Sequence, residues 1–281
     1  MTSKDLTIVI TTYRSEEKIE NCLNSIDSNI KVIIVENSNK KKFKSEIENK
    51  YKNVECILTN ENLGYGKANN IGLKKVLTKY SLILNPDTIL QKKTLRNFFV
   101  FLKRNINFAI LGPSQNENPS ELGIYDYKNS NLFNVTSIKG FAMFLNMSEF
   151  KEVGFFDSNF FIYLEEIDLC KRLRKTNKKI FSDSSIVVKH QGGSSHEEKY
   201  NYEMELSRNW HWMWSLFYFN RKHKGFIITL FLLSPYFISS FFKTVIYFIL
   251  MNSTKKLIYK QRLSGLFNSM IGKESWYRPL F

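Results

Sequence analysis

Cysteine is scarce in this chain: 281 residues contain three, Cys22, Cys56 and Cys170. They stand far apart and share no metal-ligand spacing, which excludes a disulfide framework and a thiolate zinc site. Each falls in an apolar-periodic segment and reads as a small buried hydrophobe in a reducing compartment. Acid is also short, with 26 Asp and Glu against 41 Lys and Arg, for a net charge of +15. The imbalance is uneven. Residues 199–281 carry 12 basic and 3 acidic side chains, so this stretch holds +9 of the total. Such basicity points to nucleic acid, an anionic membrane or an anionic substrate. The chain has no Arg-rich tract and no RNA-binding signature, so nucleic acid is not expected. The N-terminal MTSKDLTIVI lacks the layout of a signal peptide. The expected location is the cytosol, at the cytoplasmic face of a membrane.

What is present begins with strand and helix in alternation. LTIVITT (6–12), KVIIVENS (31–38), NVECILT (53–59) and SLILN (81–85) are short, β-branched apolar runs, the pattern of strands buried on both faces. Between them lie helical patterns. Ser15 before Glu16 and Glu17 predicts a capped helix start. The lysine-rich 40–52 predicts an exposed helix, and 66–80 a helix with Ala68, Ile71, Leu73 and Val76 inward. Strands separated by such helices imply a parallel sheet with right-handed crossovers. GFAMFLN (140–146) resumes as a strand, 160–175 leads into a helix, and 179–193 returns as strands and a loop. Residues 113–138 are polar, rich in Asn, Ser and Pro, and read as a long loop of the kind that is usually functional.

The C-terminal part changes character. Residues 226–242 are 17 positions without a charge, Lys243 interrupts, and the apolar pattern runs on to Met251 with Pro235 inside. One membrane span and two short helices dipping into one leaflet both fit, and soluble core helices are the third reading. Lys255, Lys256, Lys260, Arg262, Lys273 and Arg278 follow as a basic amphipathic tail suited to anionic headgroups. The expected organisation is a domain over residues 1–224 and membrane-associating helices over 225–281.

Ligands of open α/β sheets bind beyond the carboxyl ends of parallel strands. Thr11, Thr12 and Tyr13 end the first strand, Glu36, Asn37 and Ser38 the second. Asn62, Gly64 and Gly66 follow the third, and Asn85, Pro86 and Asp87 the fourth. Each group alone reads as turn chemistry; four on one rim make a binding-site pattern. VITTYRS, VIIVENS, NENLGYGKANNIG, LILNPDT, IKGFAMFLN, FFIYLEEIDLCKRLR and VVKHQGGSS occur in an order that resembles the family 2 inverting glycosyltransferases, in particular their rhamnosyltransferase-like branch, over about residues 6–223.

That resemblance implies an α/β fold of the glycosyltransferase A type, with a mostly parallel central sheet, flanking helices and C-terminal membrane-associated helices. It implies a nucleotide-diphosphate sugar donor, dTDP- or UDP-linked, and a glycan or lipid-linked acceptor in cell-surface polysaccharide synthesis. It also implies a divalent metal, Mg²⁺ or Mn²⁺, held by Asp87 and His190. Asp87 stands where most relatives carry Asp-x-Asp. His190 has a competing reading as a structural hydrogen-bonding group, with Gly192 and Gly193 beside it favouring a ligand. Glu36 takes the position of a carboxylate facing the nucleobase. Thr11, Tyr13, Asn62, Gly64, Gly66, Asn85 and Arg208 complete the donor set. Glu166 is the implied base, with Asp168 as the fallback. Asp168 also reads as an i,i+4 partner of Arg172. A sugar nucleotidyltransferase is the competing enzyme, and the glycine-free first loop, TTYRSEEK, counts against it. A non-enzymatic membrane-docking protein is the third possibility.

Overall fold

In the computed structural model, which describes residues 3–114, 131–190 and 201–278, the predicted alternation is present. The chain divides into two compact units, Met1–Asp157 with Glu166–His196, and Ser158–Glu165 with Glu197–Phe281.

The first unit is built on β1 (Leu6–Thr12), β2 (Lys31–Glu36), β3 (Val54–Leu58) and β4 (Tyr80–Leu84). These pair in parallel in the order β3-β2-β1-β4. The sheet continues through β8 (Ala142–Asn146), β6 (Ile110–Pro113), β9 (Ile180–Asp183) and β7 (Leu132–Asn134). β8 runs antiparallel to both β4 and β6, β9 is parallel to β6, and β7 is antiparallel to β9. β7 lies inside the segment expected to be loop, and residues 115–130 of that segment lie outside the described residues. A separate antiparallel ribbon pairs β5 (Thr88–Leu90) with β10 (Val188–His190).

The period-two alternation of strands sorts the core onto two faces. Ile8, Ile10, Val32, Ile34, Leu82, Leu84 and Phe144 face α1 (Glu16–Asn24), α2 (Lys41–Lys50) and α4 (Thr94–Leu102). Val9, Ile33, Val35, Ile83, Met143 and Leu145 face α3 (Tyr65–Leu73) and α5 (Glu165–Lys175). Full burial of each such side chain contributes roughly 1.5–3 kcal/mol. α3 ends at Leu73, short of the expected residue 80. It lies so close to the sheet that a Cβ at Gly72 would come within 2.5 Å of Val9 Cγ1. Ser15 precedes α1 as expected, but its hydroxyl donates to the Tyr13 carbonyl (3.1 Å) and leaves the helix without a side-chain cap. The three cysteines are buried and unbridged, and burial pushes their thiols up to about 12.

The second unit holds α6 (Asn201–Lys224), α7 (Phe226–Ile249) and α8 (Ser253–Met270). α6 and α8 meet at their backbones: a Cβ at Gly265 would lie 2.2 Å from the Trp210 carbonyl oxygen. His211 is fully buried, and burial pushes its imidazole down to about 3, so it is neutral. Its Nε2–H donates to the Tyr277 carbonyl (2.8 Å) and Nδ1 accepts from the Ser275 hydroxyl (2.9 Å). α7 is one continuous helix rather than two short ones. Pro235 withholds the N–H that the Phe231 carbonyl would accept, and the Ser234 hydroxyl takes that carbonyl instead (2.9 Å). α7 is long and apolar enough to cross a membrane, with 17% of its most apolar window buried. The basic tail is partly absorbed by the unit itself. Arg278 lies 3.8 Å over the Phe161 ring and donates to the Ser275 and Tyr277 carbonyls, and Arg262 packs over Tyr259.

Candidate functional site

The rim beyond β1, β2, β3 and β4 gathers most of the residues named from sequence. Parallel register sets Thr12 beside Glu36 and Ile10 beside Leu84, so the next residues of each strand emerge together. Glu36 is 1% exposed. It accepts from the Thr12 hydroxyl (2.6 Å) and from the Ser38 hydroxyl. Burial pushes its carboxyl up, and the two hydroxyls oppose that shift. Any nucleotide contact through Glu36 therefore uses the remaining lone pairs of oxygens already fixed in place.

Asn37, which received no role from sequence, knits the rim. Its amide donates to Asn62 Oδ1 (2.9 Å) and the Gly64 carbonyl (3.2 Å), and its own oxygen accepts from the Leu63 N–H (2.9 Å). Gly64 adopts φ +82°, a conformation that favours glycine, as the chain turns into α3. Gly66 is buried in the first turn of that helix.

Asn85 and Asp87 follow β4. The Asn85 N–H donates to the Phe141 carbonyl (2.9 Å), and the Asn85 carbonyl accepts from the Thr88 hydroxyl (2.6 Å). Both bonds use backbone atoms of Asn85 and leave its side-chain amide out. Asp87 is 5% exposed, and His190 Nε2 lies 3.4 Å from its Oδ1. The β5–β10 ribbon makes that meeting, because its register sets His190 against Thr88. Phe141 stacks on the imidazole at 4.6 Å, nearly coplanar in tilt at 4°. Gly192 and Gly193 lie outside the described residues. The side-chain oxygens Asn85 Oδ1, Asp87 Oδ1 and Thr11 Oγ1 are buried and accept or donate no hydrogen bond among the described residues. Buried oxygens left this way are costly unless a ligand completes them. Two hard oxygens and an imidazole suit Mg²⁺ or Mn²⁺, which bind through one or two carboxylates plus substrate phosphates. No cluster of three or more His, Cys, Asp and Glu able to hold a metal occurs among the described residues. Tyr13, the last donor residue of β1's rim, carries the Arg14 guanidinium 5.8 Å over its ring.

Glu166 and Asp168 stand on α5 and have different surroundings. Asp168 is fully buried and accepts from Arg172 Nε at 2.7 Å, the i,i+4 pairing anticipated from spacing. Arg172 also donates to the Val153 carbonyl (2.7 Å) and the Phe155 carbonyl. Asn70 of α3 grips the next residue, exchanging hydrogen bonds with the Phe156 carbonyl (2.8 Å) and N–H (3.0 Å). Segment 153–156 thus fastens α3 to α5. Glu166 is half-buried. Desolvation pushes its carboxyl up, against the backbone N–H groups of Glu166 and Ile167. Breaking a buried pair costs about 3–5 kcal/mol, so Asp168→Ala should lower the melting temperature by roughly ten degrees or more. An unchanged melting curve would show that the pair does not hold the helix.

Residues 159–163, just before α5, form a second structure that sequence reading missed. In the second unit, one stripe of α6 at positions 211, 215, 218 and 222 grips them. His211 stacks on Phe161 (4.4 Å), and the Ser215 hydroxyl donates to the Ile162 carbonyl (2.8 Å). Tyr218 meets Phe160 edge-on (4.9 Å) and accepts from the Asn159 amide (2.9 Å), while Lys222 lies 6.0 Å over Phe160. Tyr163 and Leu164 sit at φ +75° and +69°. Such strain in bulky residues costs on the order of 1–3 kcal/mol each and clusters at functional sites. Arg208, also on α6, is near enough to Tyr163 for its charge to oppose the rise that burial causes in the Tyr163 hydroxyl.

In a mostly parallel α/β sheet, a carboxyl rim carrying acids and amides is where a ligand binds. The chain belongs to glycosyl transferase family 2, whose model matches residues 7–170. Among curated proteins it is 28% identical over 195 residues to the low-salt glycan biosynthesis hexosyltransferase Agl10 of Haloferax volcanii, with 62% of each chain covered. It is 37% identical over 90 residues to the teichoic acid poly(glycerol phosphate) polymerase of Staphylococcus epidermidis, covering 29% of this chain and 12% of that one. The chain thus spans less than two thirds of the length of either relative. Its fold is similar to that of residues 1–349 of S. aureus TarS in complex with UDP-GlcNAc, with a TM-score of 0.53, 14% identity, and 97% of this chain and 93% of that one covered. It is also similar to the mannosyltransferase PcManGT of Pyrobaculum calidifontis in complex with GDP-Man and Mn²⁺, with a TM-score of 0.56, 12% identity, and 96% and 88% covered.

Proposed function

We propose that the protein is an inverting glycosyltransferase that moves a sugar from a nucleotide-diphosphate donor to a glycan or lipid-linked acceptor in cell-surface polysaccharide synthesis. The observation that carries this reading is the Asp87–His190 pair, with the unpartnered oxygens of Asn85 and Thr11, on the rim of a family 2 sheet. Asp87 and His190 would hold a divalent metal. When bound, that ion supplies positive charge for the departing diphosphate. Thr11, Tyr13, Glu36, Asn62, Gly64, Gly66 and Asn85 form the donor cradle; Arg208 is a further donor-binding candidate by resemblance alone. Glu166 takes the proton of the acceptor hydroxyl. The freed oxygen attacks the anomeric carbon from the face opposite the diphosphate, and the configuration inverts in one displacement through an oxocarbenium-like transition state. Asp168, committed to Arg172, positions α5 rather than moving protons. The grip of α6 on residues 159–163 holds the strained turn at Tyr163 and Leu164.

The resemblance to the rhamnosyltransferase-like branch puts dTDP-rhamnose first among donors to test, beside UDP-linked sugars. Incubation of the full-length protein with each donor and Mn²⁺ should release nucleoside diphosphate slowly for one donor class. No release from any donor would overturn the reading.

The protein works at the cytoplasmic face of an anionic membrane, held by α7. Phe242, Ile246 and Ile249 are among many apolar side chains on α7 that stand exposed, and Lys255 and Lys256 lie over Tyr247 and Phe248 at 5.3 and 5.6 Å. Removing α7 and α8 would strip α6 of its packing, so surface substitution is the cleaner test. Phe242→Ser, Ile246→Ser and Ile249→Ser combined should release the protein from floated phosphatidylglycerol vesicles. Continued flotation would place the anchor elsewhere.

A further inference from the structure

α6, α7 and α8 form a half-open apolar cavity of about 540 Å³, lined among others by Phe217, Leu230, Leu233, Ile238, Leu266 and Met270. Its size falls within the range of small-molecule sites. Ser234 is a polar residue in the lining, and its hydroxyl is spent on the Phe231 carbonyl. The cavity opens among the exposed apolar side chains of α7, because Phe231 and Ile238 line it while being 77% and 54% exposed.

Charge lies nearby. Phe226 packs edge-on against the cavity-lining Phe217 at 6.1 Å, and Arg221 lies 5.5 Å over the Phe226 ring. Arg221 Nη1 is also 3.7 Å from where a Cβ on Gly272 would stand, two residues beyond the lining Met270. Lys222 and Lys224 follow on the same helix end. Arg221 stands one helical turn beyond the lining Phe217 on α6, and an apolar pocket with a guanidinium beside it suits a long hydrocarbon chain bearing a phosphate.

We propose that this cavity seats the hydrocarbon chain of a lipid-phosphate-linked acceptor, with Arg221 on its phosphate. The proposal rests on the glycosyltransferase reading and gives it a substrate class. The cavity holds the chain along the first half of α7, and Arg221 fixes the headgroup at the junction of α6 and α7. The sugar beyond the phosphate is then presented outside the helical layer. Phosphate recognition separates this ligand from the neutral lipids around it, which fill apolar space but leave the guanidinium unpaired.

The test uses the full-length protein in phosphatidylcholine nanodiscs and radiolabelled dodecyl phosphate as the probe. Wild type should retain it saturably. Ile238→Trp, which fills the cavity from an exposed position, should weaken retention at least tenfold. Arg221→Gln should weaken retention of dodecyl phosphate while retention of dodecanol stays the same. Leu77→Ser, 96% exposed and outside the lining, should bind as wild type does. Equal retention by wild type and Ile238→Trp, or equal loss in Leu77→Ser, would overturn the cavity assignment. Displacement of the probe by phosphatidylglycerol in the nanodisc would show a bulk-lipid site and overturn the acceptor assignment. UDP-GlcNAc and dTDP-rhamnose binding are measured on the same samples. If neither binds while dodecyl phosphate does, the transferase reading fails and the lipid-phosphate site stands.

Discussion

Asp87→Asn is expected to abolish transfer and to leave the fold standing. The substitution keeps the shape of the side chain and removes its charge, beside an imidazole at 3.4 Å. The isosteric amide keeps the packing of this buried side chain and weakens only the Oδ1–His190 contact, so the variant should still fold. Donor binding is where the loss appears. Without the carboxylate, Mn²⁺ should no longer enhance the affinity for a nucleotide-sugar, and calorimetric titration with and without metal reads this directly. Wild-type turnover in the variant with Mg²⁺ or Mn²⁺ would remove Asp87 from the metal site.

Glu166→Gln carries the second large effect, a fall in rate of roughly 10²–10⁴-fold, the worth of a positioned general base. The donor affinity should hardly change. Two signs follow from the raised carboxyl pKa. The base acts when deprotonated, so the wild-type rate should rise with pH through a limb above the ordinary carboxylate range. That limb should vanish in the variant. A raised pKa also means the folded state binds its proton more tightly than the unfolded one, so ionised Glu166 lowers stability at pH above its folded pKa. Glu166→Gln should therefore melt no lower than wild type at neutral pH. A large loss of donor binding with little loss of rate would make Glu166 a donor-side residue, and an equal rate loss in a stably folded Asp168→Asn would reopen the choice between the two acids.

The parallel half of the fold was legible because its strands are continuous β-branched runs buried on both faces, such as Leu6–Thr12 and Lys31–Glu36. The rim followed from the strand ends. What escaped has a common physical origin in short or distant partnerships. β5 and β10 are three residues each, too short to show a period, yet their pairing carries His190 to Asp87. Asn37 looked like turn chemistry, and its three side-chain hydrogen bonds to Asn62, Leu63 and Gly64 depend on a loop at least 25 residues away. The stripe on α6 that grips residues 159–163 lies some fifty residues from its target, and the positive φ of Tyr163 and Leu164 leaves no mark in sequence. Pro235 suggested a break in the apolar segment. The Ser234 hydroxyl explains why one helix runs through it.

The central claim is that the strand rim binds a nucleotide-diphosphate sugar with a divalent ion at Asp87. A thermal-shift screen of sugar nucleotides, with and without Mn²⁺, tests it most directly, because a ligand of the native state raises the melting temperature by mass action. The account predicts that one dTDP- or UDP-linked donor raises it in the presence of Mn²⁺ and that Asp87→Asn loses the metal-dependent part. No shift from any sugar nucleotide, or the same shift in Asp87→Asn, would contradict it.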